Sequence, residues 1–137
     1  MSTTTRDNIN NYMDAIRAGD EAALRESFHP DATWWLPGDL PISKTWRGRD
    51  AILGEFLGSV MSRFDSETMR FTTHTVVVDG DHAVLEWTVE GMTVDGNPYK
   101  NDYLAVFEYR DGRIAAVREY MDTGVMGRLL FPEARAA

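Results

Sequence analysis

The chain has 137 residues, a formal net charge of −8 and no cysteine. These values predict one acidic domain over residues 1–137, exclude disulfides, and argue against nucleic acid as a partner, because phosphate binding needs a basic surface. No apolar run approaches the ~20 residues of a membrane span and the N-terminus lacks an apolar signal core, so we expect no membrane partner and a cytosolic, hence cytoplasmic, location.

Two helices are predicted at the start of the chain. Residues 5–18 carry apolar side chains at the spacing of one helix face, between a start signal at Thr4 and a stop at Gly19. A shorter helix over residues 21–28 ends before Pro30, because proline pushes the preceding residue out of the helical region.

The middle of the chain predicts a strand, a loop and a longer helix. Residues 32–36 form a short strand that contains two tryptophans, and residues 37–47 form a loop rich in proline and glycine. Residues 49–64 carry a wide apolar stripe, which predicts the longest helix of the chain.

The second half of the chain predicts an antiparallel meander followed by a short helix in the tail. Its strands alternate between apolar and polar residues, and an Asp-Gly pair separates each strand from the next. The four predicted strands cover residues 68–78, 82–93, 98–109 and 113–122. Helices followed by such strands indicate an α+β fold, with the helices packed on one face of a curved sheet.

The turns decide which side chains meet across the sheet. A strict two-residue turn at each Asp-Gly would place Trp87 beside Leu104, whereas a three-residue loop with a bulge pairs residues of like parity. Because the hydrophobic pattern sets the register when one face is buried, we predict the bulged loop at all three turns. It gives two inner rows, one of Phe71, Trp87, Tyr103 and Glu119, the other of Val89, Asn101 and Met121.

One carboxylate lies on this otherwise mostly apolar face. Burial would raise the pKa of Glu119, so that it could hold or take a proton near neutral pH as a general acid or base. Tyr103 and Asn101 are placed to donate hydrogen bonds to a substrate oxygen that gains negative charge. Around these three candidate catalytic residues we expect an apolar substrate pocket formed by Tyr12, Trp34, Leu36, Trp87, Val89 and Met121.

Structural roles for the same residues stay open. Glu119 could pair with Arg118 or Arg47, Tyr103 could be an ordinary core tyrosine, and Asn101 could cap a bulge. No spacing of histidine and acidic residues indicates a metal site, and we expect no cofactor.

Three stretches resemble the NTF2-like superfamily, specifically its SnoaL-like and ketosteroid-isomerase-related branch. They are HPDA at residues 29–32, WRGRDAI at residues 46–52, and residues 99–122 with their DGRI and REYMD segments. The resemblance implies an NTF2-like cone, in which about three N-terminal helices pack on a curved antiparallel sheet around a ligand cavity. It also implies that dimers are common.

The resemblance does not carry a complete mechanism with it. Glu119 falls where proteins similar to limonene epoxide hydrolase hold a catalytic aspartate, but Trp87 and Val89 replace the Arg-x-Asp pair that those enzymes need. Trp34 and Leu36 replace the tyrosine and asparagine of their first strand, and that strand holds no acid to serve as the base of ketosteroid isomerase.

The function predicted from the sequence is therefore a small enzyme of the SnoaL and ketosteroid-isomerase type, an isomerase or lyase. It would use cofactor-free acid–base chemistry to isomerise, dehydrate or cyclise a hydrophobic carbonyl or hydroxyl compound. Two alternatives are a non-catalytic protein that binds a hydrophobic ligand and an epoxide hydrolase of the limonene-epoxide type with an altered site. We expect a homodimer through the outer face of the sheet, at Val84, Thr88, Leu104, Val106 and Tyr120.

Overall fold

The computed structural model describes residues 4–135. Helices and short strands make up the first half of this range: α1 (Thr5–Ala18), α2 (Glu21–Ser27), β1 (Phe28–Trp35), β2 (Thr45–Arg47), a π-helical segment (Ala51–Leu57) and α3 (Gly58–Met61). The second half contains four long strands and two short helices: β3 (Phe64–Asp79), β4 (His82–Thr93), β5 (Pro98–Arg110), β6 (Arg113–Met121), α4 (Thr123–Leu130) and α5 (Pro132–Arg135).

All six strands belong to one sheet, in the order β2-β1-β6-β5-β4-β3. Strands β3 to β6 form the predicted antiparallel meander, and β1 adds to it in parallel with β6. The helices and the inner face of the sheet share one hydrophobic core, which confirms the α+β prediction. None of the helices in residues 4–135 is long and apolar enough to cross a bilayer.

Helix α1 has the predicted bounds, and both ends have a clear cause. Thr4 and Asp7 form a capping box, in which each side chain accepts a hydrogen bond from the other residue's backbone N–H. Gly19 ends the helix in the left-handed conformation, with φ of 63°. The apolar face of the helix turns inward, so that Tyr12 and Met13 are buried.

Strand β1 begins earlier than predicted, and β2 lies inside the predicted loop over residues 37–47. Pro30 falls where the pairing of β1 with β6 is interrupted, between Phe28 and Thr33, which is where a strand tolerates a residue without an N–H. β2 has three residues, too few for an alternating pattern to be recognised in the sequence.

The helix predicted over residues 49–64 is shorter and wider than expected. It begins at Arg49, as predicted, and ends at Met61, three residues early. Its middle part, Ala51–Leu57, is π-helical, so that the N–H of Gly58 bonds to the carbonyl of Leu53, five residues back. Ile52 and Phe56 point into the core from this segment.

The predicted register is confirmed between β4 and β5. Thr93 N–H bonds to the carbonyl of Asn97, which closes a three-residue loop with Gly96 in the left-handed region at φ of 84°. Trp87 accordingly lies opposite Tyr103. Val89 lies opposite Asn101, also as predicted.

The prediction of a three-residue loop was wrong for the other two turns. Asp79 pairs with His82 and Arg110 with Arg113, so both turns have two residues, and like parity returns only through bulges further along the strands. At Asp111-Gly112 both residues have positive φ, 53° and 79°, the mirror-image turn that matches the twist of a hairpin.

These bulges shift the pairing by two residues between β5 and β6 and between β3 and β4. Glu119 lies opposite Ala105 instead of Tyr103, and Met121 takes the place opposite Tyr103. Phe71 likewise lies opposite Val89 instead of Trp87. The side chains stay on the predicted inner face, because a shift by two residues preserves parity.

The Asp111-Gly112 turn between β5 and β6 can be tested by substitution of its glycine. Gly112→Ala places a Cβ at positive φ and should lower the free energy of unfolding by about 1–2 kcal/mol, measured by urea denaturation. The matched control is Gly54→Ala in the π-helical segment, where an added Cβ meets nothing within 4 Å and should raise that free energy by about 0.5–1 kcal/mol. Equal effects of the two substitutions would contradict the assigned turn.

Candidate active site

Glu119 lies in the interior and has no cationic partner in the part of the chain that the structure describes. Glu119 is 6% exposed and lies on the face of β6 that meets the helices. Alternation along the strand sends Arg118 to the opposite face, where it forms an ion pair with Glu108. Arg47, the other partner considered from the sequence, is exposed on β2. Both ion pairs that would have made Glu119 a structural residue are therefore excluded.

The one hydrogen bond that the structure gives this carboxyl comes from β1. Trp34 Nε1–H donates to Glu119 Oε1 over 3.4 Å, which favours the ionised form only weakly at this length. Burial is the stronger effect and raises the pKa of Glu119 to about 8. The protonated form of the carboxyl therefore predominates at neutral pH, a point that the sequence left open.

Glu119 borders a pocket whose inner cavity measures about 70 Å³, and the empty space reaches about 600 Å³ only when the opening to solvent is included. The closed inner part is narrow. Side chains from every layer of the fold contribute to the wall, and most of them are apolar: Tyr12, Met13, Ile16, Trp34, Phe56, Leu57, Val60, Met61, Phe64, Met69, Phe71, Trp87, Val89, Tyr103 and Met126. Glu119 is the one ionisable carboxyl among these residues, so the cavity suits a neutral, largely apolar ligand.

Two phenols accompany the carboxyl in the wall. Tyr103 stacks on Trp87 with ring centroids 5.2 Å apart and an interplanar angle of 13°. Tyr12 enters from α1, and burial, reinforced by the nearby Glu119, raises the pKa of its hydroxyl well above the usual range. Burial likewise raises the pKa of Tyr103. Both groups are neutral hydrogen-bond donors at physiological pH.

A third tyrosine, Tyr99, was not among the residues predicted for the site, and it supports Tyr103. Tyr99 Oη lies 2.6 Å from Tyr103 Oη, and Asn101 Nδ2 donates to Tyr99 Oη over 3.0 Å. Tyr99 shares the parity of Tyr103 on β5, so alternation could have indicated its face. Alternation gives no distances, however, and the contact depends on how the two rings lean towards each other.

Six of the nine residues predicted for the site line the cavity, and three do not. Asn101 is buried behind Tyr99 and also donates to the carbonyl of Asp122, so it has no direct access to a ligand. Leu36 is buried, but it follows the last residue of β1 and does not line the cavity. Met121 is the last residue of β6, beyond the cavity. The six that line it are Tyr12, Trp34, Trp87, Val89, Tyr103 and Glu119.

Five residues on the outer face of the sheet were predicted to form a dimer contact, and one of them, Thr88, is not exposed. Thr88 is buried there, its hydroxyl donates to Asp102 over 2.6 Å, and the same hydroxyl lies 2.7 Å from His74 Nε2. It is thus satisfied within its own sheet and offers no contact surface. Leu104 and Tyr120 are 39% and 43% exposed. Within residues 4–135, no three histidine or acidic side chains come together as a metal site.

Comparisons with known proteins agree with this architecture. The family model of the SnoaL-like domain matches residues 9–117. No curated protein matches the chain significantly in sequence.

Solved structures share the fold over nearly their whole length. An NTF2-like protein of unknown function from Burkholderia pseudomallei is 20% identical, with a TM-score of 0.82 over 94% of this chain and 98% of that one. A protein of unknown function with a cystatin-like fold from Xanthomonas campestris is 27% identical, with a TM-score of 0.81 over 93% and 98% of the two chains. TerC, co-crystallised with polyporic acid, is 24% identical, with a TM-score of 0.80 over the same shares.

The predicted NTF2-like α+β fold is therefore confirmed. Because the family model covers most of its length, the chain belongs to the SnoaL-like family.

Proposed function

We propose that the chain is a small enzyme that isomerises, dehydrates or cyclises an apolar carbonyl or hydroxyl compound through the acid–base chemistry of Glu119, without a cofactor. One observation carries this proposal: a carboxyl without a cationic partner in residues 4–135 borders an apolar cavity, and its pKa is raised to about 8. Acid–base catalysis is most effective when the pKa of the catalytic group lies near the working pH.

A single carboxyl of this kind can both give and take a proton within one turnover. In the dehydration of a β-hydroxy ketone, Glu119 gives its proton to the departing hydroxyl oxygen, and the carboxylate that remains takes the proton from the α-carbon. Water leaves, a carbon–carbon double bond forms, and Glu119 regains its starting state. Isomerisation and cyclisation need the same two transfers at other atoms of the substrate.

The two cavity phenols supply the other requirement of this chemistry. Tyr103 and Tyr12 line the same cavity as Glu119, and as neutral donors they stabilise negative charge that develops on a substrate oxygen. The low polarity of the surrounding wall strengthens such hydrogen bonds.

A binding protein without catalysis is the second candidate, and the composition of the wall favours it. Four methionines line the cavity, and their flexible side chains adapt to ligands of different shape: Met13, Met61, Met69 and Met126. Recovery of a tightly held, chemically unchanged ligand would support this candidate. An epoxide hydrolase has less support, because Trp87 and Val89 give the cavity no Arg-x-Asp pair.

Glu119→Gln tests catalysis directly. The amide keeps the shape of the side chain but cannot transfer a proton, so kcat should fall by about 10²–10⁴ on any substrate identified from a panel of β-hydroxy and unsaturated ketones. The matched control, Glu86→Gln, changes an exposed acid on the outer face and should retain full activity. Equal turnover by the two variants would rule out the proposed role.

The pH dependence of stability tests the protonation state without any substrate. Because the folded-state pKa of Glu119 is raised from 4.5 to about 8, its contribution to stability is complete below pH 4.5 and is lost as the pH rises towards 8. The wild type should therefore lose on the order of 3 kcal/mol relative to Glu119→Gln between pH 5 and pH 8, measured by urea unfolding. Parallel stability curves would mean that the carboxyl is ionised throughout.

We also propose that two copies associate through the outer face of the sheet. Leu104 and Tyr120 are exposed there beside the half-buried Val84 and Val106, and Trp35 packs edge-on against Tyr120 with ring centroids 5.4 Å apart. A two-fold axis through this patch would bury the same apolar residues of both copies.

Leu104→Glu tests this association. A charge in the centre of the patch should convert the dimer to a folded monomer, because ionised groups are costly to bury without partners. Sedimentation velocity at micromolar concentration measures the mass, and Lys100→Glu, on the same face of β5 nearer the strand's start, is the control. A wild-type protein that sediments as a monomer would contradict the proposal.

A further inference from the structure

We propose that Asn101 and Tyr99 are positioning residues, which direct the proton of the Tyr103 hydroxyl into the cavity. The inference rests on the proposed function, because it concerns an oxygen bound next to Glu119. It follows from three hydrogen bonds whose donors and acceptors can be assigned one after another, starting from a backbone carbonyl.

The orientation of the Asn101 amide is fixed by Asp122. The Asp122 carbonyl oxygen can only accept, and it lies 3.0 Å from Nδ2 of Asn101, so the NH₂ group of the amide must face it. The same nitrogen lies 3.0 Å from Tyr99 Oη. The NH₂ group has two protons, and it donates one to each oxygen.

The direction of the next bond follows from the surroundings of the two phenols. Tyr99 Oη accepts from Asn101 and lies 2.6 Å from Tyr103 Oη, and geometry alone allows either phenol to donate. Tyr99 is 2% exposed and has no other acceptor in residues 4–135, so a proton kept out of this bond would be buried unpaired, and we assign Tyr99 as the donor. With Tyr99 as donor, Tyr103 Oη accepts, and the Tyr103 proton is left without an acceptor in this chain of bonds. Tyr103 lines the cavity, whereas Tyr99 and Asn101 do not, so the free proton faces the ligand.

Packing holds the rings in the positions that this chain of bonds requires. Tyr99 and Tyr103 are four residues apart on β5, about 13 Å along an extended strand, so their rings must lean towards each other above Asn101. Phe64 packs edge-on against Tyr99 with ring centroids 5.0 Å apart. Trp87 holds Tyr103 from the other side by stacking.

The amide is also tied to the C-terminal helix. Asp122 is the N-cap of α4, and its side chain accepts hydrogen bonds from the N–H groups of Gly124 and Val125. The same helix places Met126 in the cavity wall. Docking of α4 and the direction of the Tyr103 proton therefore depend on the same residue.

Replacement of Asn101 by aspartate reverses the chain of bonds at nearly constant shape. Any proton on the new carboxyl goes to the Asp122 carbonyl, so the oxygen that faces Tyr99 accepts instead of donating. Tyr99 then donates to residue 101 and accepts from Tyr103, and the Tyr103 proton turns away from the cavity. Tyr99→Phe interrupts the chain instead, and should have a smaller effect in the same direction.

The experiment compares two probes of similar shape, 2-acetylnaphthalene and 2-ethylnaphthalene, by fluorescence titration. The wild type should bind the ketone more tightly than the hydrocarbon. Asn101→Asp should reduce this preference about five- to tenfold, as Tyr103→Phe does, and Tyr99→Phe about threefold. Binding of the hydrocarbon should stay constant, which a general loss of structure would not allow.

Tyr109→Phe is the matched control, because Tyr109 is a buried tyrosine on the same face of β5 whose hydroxyl has no hydrogen-bond partner in residues 4–135. It should leave the preference for the ketone unchanged. The infrared C=O stretch of the bound ketone gives a second measurement, and it should move to higher wavenumber in Asn101→Asp than in the wild type.

The outcomes separate this inference from the proposed function. If the wild type binds the ketone no more tightly than the hydrocarbon, the cavity donors do not recognise an oxygen, and both proposals fail. If Tyr103→Phe removes the preference while Asn101→Asp and Tyr99→Phe retain it, Tyr103 acts alone and only the positioning roles are overturned.

Discussion

The chemistry of the site depends on the free-energy cost of removing the Glu119 carboxyl group from water. An ionised carboxylate is stable inside a protein only with a cation or several hydrogen bonds, and Glu119 has a single long bond from Trp34. Keeping the proton lowers this cost, since a neutral carboxylic acid loses far less hydration than a carboxylate. The raised pKa of Glu119 is thus the consequence of the apolar wall and of the single indole donor.

The sheet separates charges of opposite sign that are neighbours in sequence. Arg118 and Glu119 are adjacent, yet the strand directs the arginine to the outer face, where it pairs with Glu108. The outer face likewise takes His74, Thr88 and Asp102, which form their own hydrogen-bonded row. Without this separation the guanidinium would neutralise the carboxylate and remove the group that could transfer a proton.

The sequence predicts which face each side chain occupies better than which side chain lies opposite. Parity along β5 and β6 was sufficient to predict that Glu119, Tyr103 and Asn101 are buried. The opposing residues depend on where a bulge lies, and its position, between Glu108 and Tyr109, reflects the local geometry of a two-residue turn. On β6 the buried apolar residues change parity across that bulge, from Ile114 to Val117. The predicted alternation followed Val117 and Glu119 and left Ile114 out, so it missed this sign of an extra residue.

The remaining misses have a similar origin. An apolar stripe over residues 51–61 is compatible with either an α-helical or a π-helical backbone, because the two differ by about one residue per turn and the stretch is short. The contact between Tyr99 and Tyr103 depends on the lean of two rings along one strand, for which a linear pattern has no signal. Leu36 and Met121 do not line the cavity, and each lies at or just beyond the end of a strand, where alternation no longer defines a position in space.

The unexpected register has a chemical consequence for the site. In the predicted pairing Tyr103 would lie directly opposite Glu119, close enough for its phenol to compete for the carboxyl. The bulge places Ala105 opposite Glu119 instead, and alanine has no polar atom and little volume with which to occupy the space beside the acid. Tyr103 then faces Met121 across the strands and takes its polar partner from its own strand, at Tyr99. Acid and phenol can therefore both be directed at a third molecule, because the register keeps them from satisfying each other.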